Sequence, residues 1–293
     1  MTSIALVGPG AIGGTVAAWL ARAGRHELVV CTRTPFDRLV VLAPDGETID
    51  VAPRLLAEPS AAAPVDWVIA VTKTYATAGA ARWIERLLGP STRVAVLQNG
   101  VEHMERFAGL VPRERTLPVI TDMPAERSAP GRIRQRRHGL IAAPAGELGA
   151  RFAALFEGTP LTVSLTDDFL SASWRKLVLN SAGVVNALTL KPAGVARNEK
   201  AAALMRAIAE ESASVARAVG ARIDASLPEE VVERYRTGPP DAVNSILADR
   251  LAGRPLEVDA RNGVVVREGA KRGVPTPFNW MAVAVLEGAG AGG

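Results

Sequence analysis

The sequence predicts an α/β chain in two parts, a parallel sheet covered by helices and then an all-helical domain, and three observations carry that prediction. Apolar strand-like runs alternate with helix-like segments through the first half, as βαβ units do. The stretch Gly8-Pro9-Gly10-Ala11-Ile12-Gly13-Gly14 lies directly behind the apolar run Ile4-Ala5-Leu6-Val7 and directly ahead of the helix-like Thr15-Val16-Ala17-Ala18-Trp19-Leu20. Strand, glycine turn and helix in that order form the Rossmann-type dinucleotide-binding fingerprint. From about residue 167 helical spacing replaces the alternation, with Leu204, Ile208, Val215 and Val219 along one face of a long helix that stops before Gly220. The chain therefore divides at 166 into a nucleotide-binding domain, residues 1–166, and a helical domain, residues 167–293.

After the first helix, residues 28–31 read as a short strand. Residues 39–43 and 48–51 flank Pro44-Asp45-Gly46 as a small hairpin. Residues 67–71 form a buried strand, 74–88 a helix, 93–97 a strand and 101–109 a short helix. Strands follow over 116–120, 132–136, 140–143 and 161–164, with a helix over 147–157. In the second half, helices fit 228–236, 242–251, 257–271 and 279–287, each bounded by glycine or proline, and the tail from Gly288 reads as a frayed end.

Within the fingerprint, Gly8 permits the tight turn, Gly10 lets the backbone approach a pyrophosphate, and Gly13 lets helix and strand pack closely. Phosphates then meet the helix N-terminus at Ala11, Ile12 and Gly13. Twenty residues past Gly13, where an acid would bind a ribose 2′-hydroxyl, stands Arg33, and residues 28–36 contain no acid at all. A carboxylate there would repel a 2′-phosphate, whereas a guanidinium grips it with paired, charge-assisted hydrogen bonds. The cofactor implied is NADP(H). The strand ends at Thr72-Lys73 and Gln98-Asn99-Gly100 should lie beside it, because open α/β sheets bind ligands at the carboxyl ends of their strands.

Composition excludes several other classes. The chain has 293 residues with 48% hydrophobic and 22% charged content, globular rather than disordered. The net charge is +4, but its Lys and Arg residues are scattered among 30 acids, so nucleic acid is not implied. The densest basic stretch, Arg132-Ile133-Arg134-Gln135-Arg136-Arg137, alternates as a solvated strand does. The single cysteine, Cys31, cannot form an intrachain disulfide and suits a reducing cytoplasm. His26, His103 and His138 lie far apart with no ligand spacing, so no metal is expected. With neither a basic leader nor a long apolar run, a cytoplasmic protein that engages no membrane is expected.

In the helical half, Trp174-Arg175-Lys176-Leu177-Val178-Leu179-Asn180 puts Lys176 and Asn180 four apart on one helix face. From the residues alone, Lys176 reads either as a surface lysine on an amphipathic helix or as a partly desolvated general acid. In the latter case burial lowers its pKa toward the working pH, so that it can protonate an oxygen as hydride reaches carbon.

The chain resembles the ketopantoate reductase family over nearly its whole length. The stretches that carry the resemblance are residues 8–14, Val71-Thr72-Lys73, Leu97-Gln98-Asn99-Gly100, 174–180, Asn244-Ser245-Ile246-Leu247-Ala248-Asp249, Arg254-Pro255-Leu256-Glu257-Val258-Asp259 and Gly273-Val274-Pro275-Thr276-Pro277. The resemblance implies an NADPH-dependent reductase of ketopantoate. It implies Lys176 as general acid, Glu257 engaging the substrate hydroxyl and the lysine, Asn180 as a hydrogen-bond partner of the substrate, Ser245 on the substrate carboxylate, and Asn99 at the nicotinamide end. Lys73 would join Arg33 near the 2′-phosphate. Read by itself, Glu257 is equally a helix N-terminal acid.

One departure bears on specificity. Members of the family often carry a second asparagine four residues past the first; here that position is Val184, and Asn186 falls about 240° around the helix from Asn180. Another 2-keto acid is therefore an alternative substrate. A non-catalytic NADP(H)-binding sensor is the alternative from a different class. The oligomeric state is left open, a homodimer among the options.

Overall fold

The structure is a computed structural model and describes residues 1–290; the last three residues of the tail lie outside it. The chain forms two compact units, residues 1–98 with 102–167, and residues 99–101 with 168 onward.

In the first unit the elements run β1 (Thr2–Val7), α1 (Ala11–Ala23), β2 (His26–Cys31), β3 (Leu39–Leu42), β4 (Thr48–Val51), β5 (Arg54–Leu56), β6 (Trp67–Ala70), α2 (Thr77–Leu87), β7 (Arg93–Val96), β8 (Thr116–Pro118), β9 (Ile120–Asp122), β10 (Ala125–Ala129), β11 (Arg132–Gln135), β12 (Leu140–Pro144), α3 (Glu147–Ala154) and β13 (Thr162–Thr166). Six strands make one parallel sheet in the order β5-β2-β1-β6-β7-β8. Numbered among themselves these strands run 3-2-1-4-5-6, the Rossmann order, with the switch point beside β1. Strands β1, β6 and β7 are nearly all buried and apolar, as a sheet covered on both faces requires.

Two smaller sheets complete the unit, β10-β11-β3-β4 and β13-β12-β9. The hairpin at Pro44-Asp45-Gly46 forms, Leu39 opposite Val51 and Leu42 opposite Thr48, but it belongs to the first of these sheets rather than to the parallel one. Helix α1 lies against that sheet: the Trp19 Nε1–H donates to Gln135 Oε1 at 3.0 Å, and Gly14 faces the Ile133 side chain. Arg132 and Arg134 are exposed while Ile133 and Gln135 are buried, the solvated alternation read from the sequence.

Several elements differ from expectation. Residues 101–109 hold only one 3₁₀ turn, Glu105–Phe107, in place of the expected helix. The strand expected over 116–120 breaks at Val119, whose N–H bonds to Val96 O, into β8 and β9, which belong to different sheets. Strand β5 is only three residues long and β10 is mostly polar, so neither stands out in the chain.

The second unit is helical: α4 (Phe169–Ala182), α5 (Val184–Thr189), α6 (Glu199–Val219), α7 (Leu227–Thr237), α8 (Ser245–Leu251), a π-helical turn (Asp259–Gly263), α9 (Val264–Arg272) and α10 (Pro277–Gly288). Asp168 caps α4 through Ser171 N, Asn198 caps α6 through Lys200 N and Ala201 N, and Gly220 ends α6 at φ 100°. Leu177 and Val178 pack inside this unit with Ala209, Ala213 and Ala216 of α6, so the packing face of α4 serves the helical core. A buried polar chain joins the helices: Asn262 Nδ2 donates to Ser181 O and to Asn279 Oδ1, and Asn279 Nδ2 donates to Ile208 O and Glu211 Oε2. The helix expected over 257–271 begins only after Glu257, with the π turn preceding α9.

Candidate active site

The glycine turn is built by local contacts. The Gly8 N–H bonds to Cys31 O at 3.2 Å, tying the end of β1 to the end of β2, and Gly8 sits at φ 95°. A Cβ there would stand 2.7 Å from Thr72 Cγ2, and one on Gly13 would run into the Gly8 carbonyl. Gly10 differs: a Cβ on it would meet nothing within 4 Å, so its lack of a side chain serves no internal packing. Gly10 also N-caps α1 without a side-chain hydrogen bond, and the first turn carries no acid. The N–H groups of Ala11, Ile12 and Gly13 therefore have no partner from within the helix, and the helix dipole favours an anion there. A pyrophosphate fits this cradle.

Around it, Arg33 follows β2 and is exposed, and Lys73 follows β6 and is half-buried. Because β2 and β6 flank β1 in parallel register, Cys31 and Ala70 both opposite Val7, both cations stand at the carboxyl edge beside the turn. Gln98 at the end of β7 binds across this edge, its Nε2 donating to Thr72 Oγ1 at 3.0 Å. Burial pushes the Cys31 thiol up to about 12, so it stays protonated at neutral pH and does no chemistry.

The helical unit holds the other candidates. Lys176 and Asn180 lie one turn apart on α4, both half-buried, while the neighbouring Arg175 points to solvent and pairs with Asp224 at 2.9 Å. Glu257 is 5% exposed and its Oε2 accepts from Asn99 Nδ2 at 2.8 Å. Two residues 158 apart in sequence are thus joined, and Asn99 clusters with the helical unit although it follows strand β7. Glu257 directly precedes Val258, where the helical stretch leading through the π turn into α9 begins, so it stands at a helix N-terminus as well as against Asn99.

Ser245 is exposed at the first position of α8. Its neighbour Asn244 fixes it in place: Asn244 Oδ1 accepts from Leu247 N at 3.0 Å, while Nδ2 donates to Gly183 O at 2.9 Å and Asn186 Oδ1 at 3.1 Å. Asn186 is fully buried, with Nδ2 donating to Lys191 O, and Val184 is buried in the apolar core. Neither supplies a second exposed amide beside Asn180.

Sequence reasoning missed one charged residue here. Arg261, in the π turn, is 2% exposed, and its Nη2 donates to the Asn180 carbonyl. Its only sequence signal is an arginine four residues past Glu257, indistinguishable from a surface cation. Burial pulls its basicity down, opposed by Tyr235, Glu257 and Asp249, yet a guanidinium stays protonated in proteins. Among the described residues no cluster of His, Cys, Asp and Glu could hold a metal, and no helix is long and apolar enough to cross a membrane.

Comparison with known proteins agrees with the fold. A family model described as ketopantoate reductase PanE/ApbA matches residues 4–147, and its C-terminal counterpart matches residues 168–289. The chain is 53% identical to a 2-dehydropantoate 2-reductase of Caulobacter vibrioides over 289 residues, covering 99% of each chain. It is 39% identical to one of Mycobacterium tuberculosis, again covering 99% of each. A solved 2-dehydropantoate 2-reductase from Geobacter metallireducens superimposes with a TM-score of 0.91 at 26% identity, covering 98% of this chain and 99% of that one. The chain is thus a member of the ketopantoate reductase family, NADP-dependent oxidoreductases.

Proposed function

We propose that this chain reduces 2-dehydropantoate to pantoate with NADPH, with Lys176 as the general acid. The observation that carries the reading is the assembly within one helical unit of Lys176 and Asn180 on one face of α4 and of a buried Glu257 held by Asn99. Such a set suits a 2-keto acid, which needs a proton donor, an orienting polar group and an anchor around one carbonyl. Bound NADPH supplies a hydride to the keto carbon.

The protein's own part is to bind, orient and deliver a proton. The Lys176 ammonium donates its proton to the carbonyl oxygen, so that ketone, hydride and proton together give the alcohol. Glu257 engages the lysine and the new hydroxyl, with its orientation held by Asn99. Asn180 and Ser245 hold the substrate, while Gly8, Gly10 and the α1 N-terminus hold the pyrophosphate, Asn99 serving the nicotinamide end as well.

Arg33 and Lys73 recognise the 2′-phosphate in this reading. Replacing Arg33 with serine is expected to weaken NADPH binding roughly thirtyfold, the scale of a lost charge-assisted pair, with NADH binding unchanged. Titration of both nucleotides checks this; equal losses for the two would take Arg33 out of phosphate recognition. A different 2-keto acid as natural substrate is the second reading, favoured by one observation: buried Val184 offers no amide where a second substrate hydrogen bond would come from.

A further inference from the structure

Arg261 carries a buried charge that nothing in the helical unit neutralises directly. It makes no ion pair among the described residues, its one hydrogen bond is to the Asn180 carbonyl, and its Nε has no partner. The nearest acids are engaged elsewhere: Asp249 pairs with Arg254 at 2.8 Å, and Glu257 accepts from Asn99. Burying a cation in this way is strongly unfavourable unless something compensates for it.

The guanidinium also lies against the α4–α5 junction. A Cβ on Gly183 would stand 3.3 Å from Arg261 Nη2 and 2.8 Å from Asn244 Nδ2, and would overlap the Tyr235 hydroxyl. Donors from the π turn and from the N-cap of α8 thus converge on the turn between Asn180 and Val184. Val184 adds nothing polar there, being packed in the apolar core.

We infer that Arg261 is a specificity-determining residue of the keto-acid site, steadying Asn180 through its carbonyl and supplying the buried positive charge against which the substrate carboxylate binds. The inference rests on the reductase reading above. It assigns the role of the missing amide at 184 to a cation from another element. The occupant it calls for is an anion of the 2-keto acid class, and a neutral analogue gains only the steadied Asn180 from it.

The test compares a 2-keto acid with its neutral 2-keto amide in the wild type, Arg261→Met and Arg261→Lys. Arg261→Met is expected to raise KM for the acid about thirtyfold, as the loss of a charged hydrogen-bonding group does. Its kcat should stay within about threefold, KM for the amide should rise far less than KM for the acid, NADPH affinity should not change, and Arg261→Lys should restore most of the preference for the acid. Equal losses for acid and amide would reduce Arg261 to a structural brace and overturn the inference. Should Arg261→Met not fold, Arg261→Lys decides alone, since a retained charge must retain the acid preference and its loss would contradict the proposal. Failure of the reductase reading looks different: the wild type itself would bind NADPH and reduce neither compound.

Discussion

Replacing Lys176 with alanine is expected to lower kcat with 2-dehydropantoate by a factor between about a hundred and a thousand while NADPH binding persists. That range is the lower part of the usual contribution of a positioned general acid, about a hundredfold to ten-thousandfold. Lys176 stands on α4 between the buried Trp174 and the core residues Leu177 and Val178, so its backbone is held by packing that alanine does not disturb. The cofactor cradle is made by Gly8, Gly10 and α1 in the other unit, and removal of the amine leaves it intact. Loss confined to kcat, with KM changed little, is the signature of a group that acts in the transition state. Near-normal kcat in the variant would remove the lysine from the mechanism.

Alanine at Gly10 and at Gly13 should fail in opposite ways. At Gly13 the new Cβ meets the Gly8 carbonyl, with Val71 Cβ at 3.2 Å. Strand β1 and helix α1 must then separate, at a cost of at least about 2–3 kcal/mol, and NADPH affinity falls with the distorted turn. At Gly10 the Cβ has open space and the backbone is extended, φ −70° and ψ −159°, so stability should barely change. The same methyl would occupy the approach of the pyrophosphate and weaken NADPH binding more than a hundredfold. Thermal unfolding and nucleotide titration of the two variants check this; a stability loss at Gly10, or unchanged affinity there, would contradict the assigned cradle.

The parts of the molecule legible in its sequence are those whose residues answer a local requirement. Gly8 must adopt a left-handed conformation and Gly13 must admit a carbonyl, so the turn announces itself. The pairing of Lys176 with Asn180 follows from helical periodicity alone. Other features depend on tertiary neighbours. Strand β8 ends at Pro118 and β9 begins at Ile120 because their partners lie in different sheets. The π turn at 259–263 has no composition that sets it apart from a helix. Arg261 looks like any solvated arginine until the π turn and α4 enclose it, and Asn244 becomes more than an N-cap only when Gly183 and Asn186 are brought to it. Val184 marked a missing amide; the cation beside that gap became visible only in the folded helical unit.

The most direct test of the central claim is NADPH oxidation by the purified protein with 2-dehydropantoate, beside smaller and bulkier 2-keto acids and with NADH in parallel. The account predicts turnover of 2-dehydropantoate that requires NADPH and far exceeds that of the other acids. Intact NADPH binding with no turnover of any 2-keto acid would contradict it.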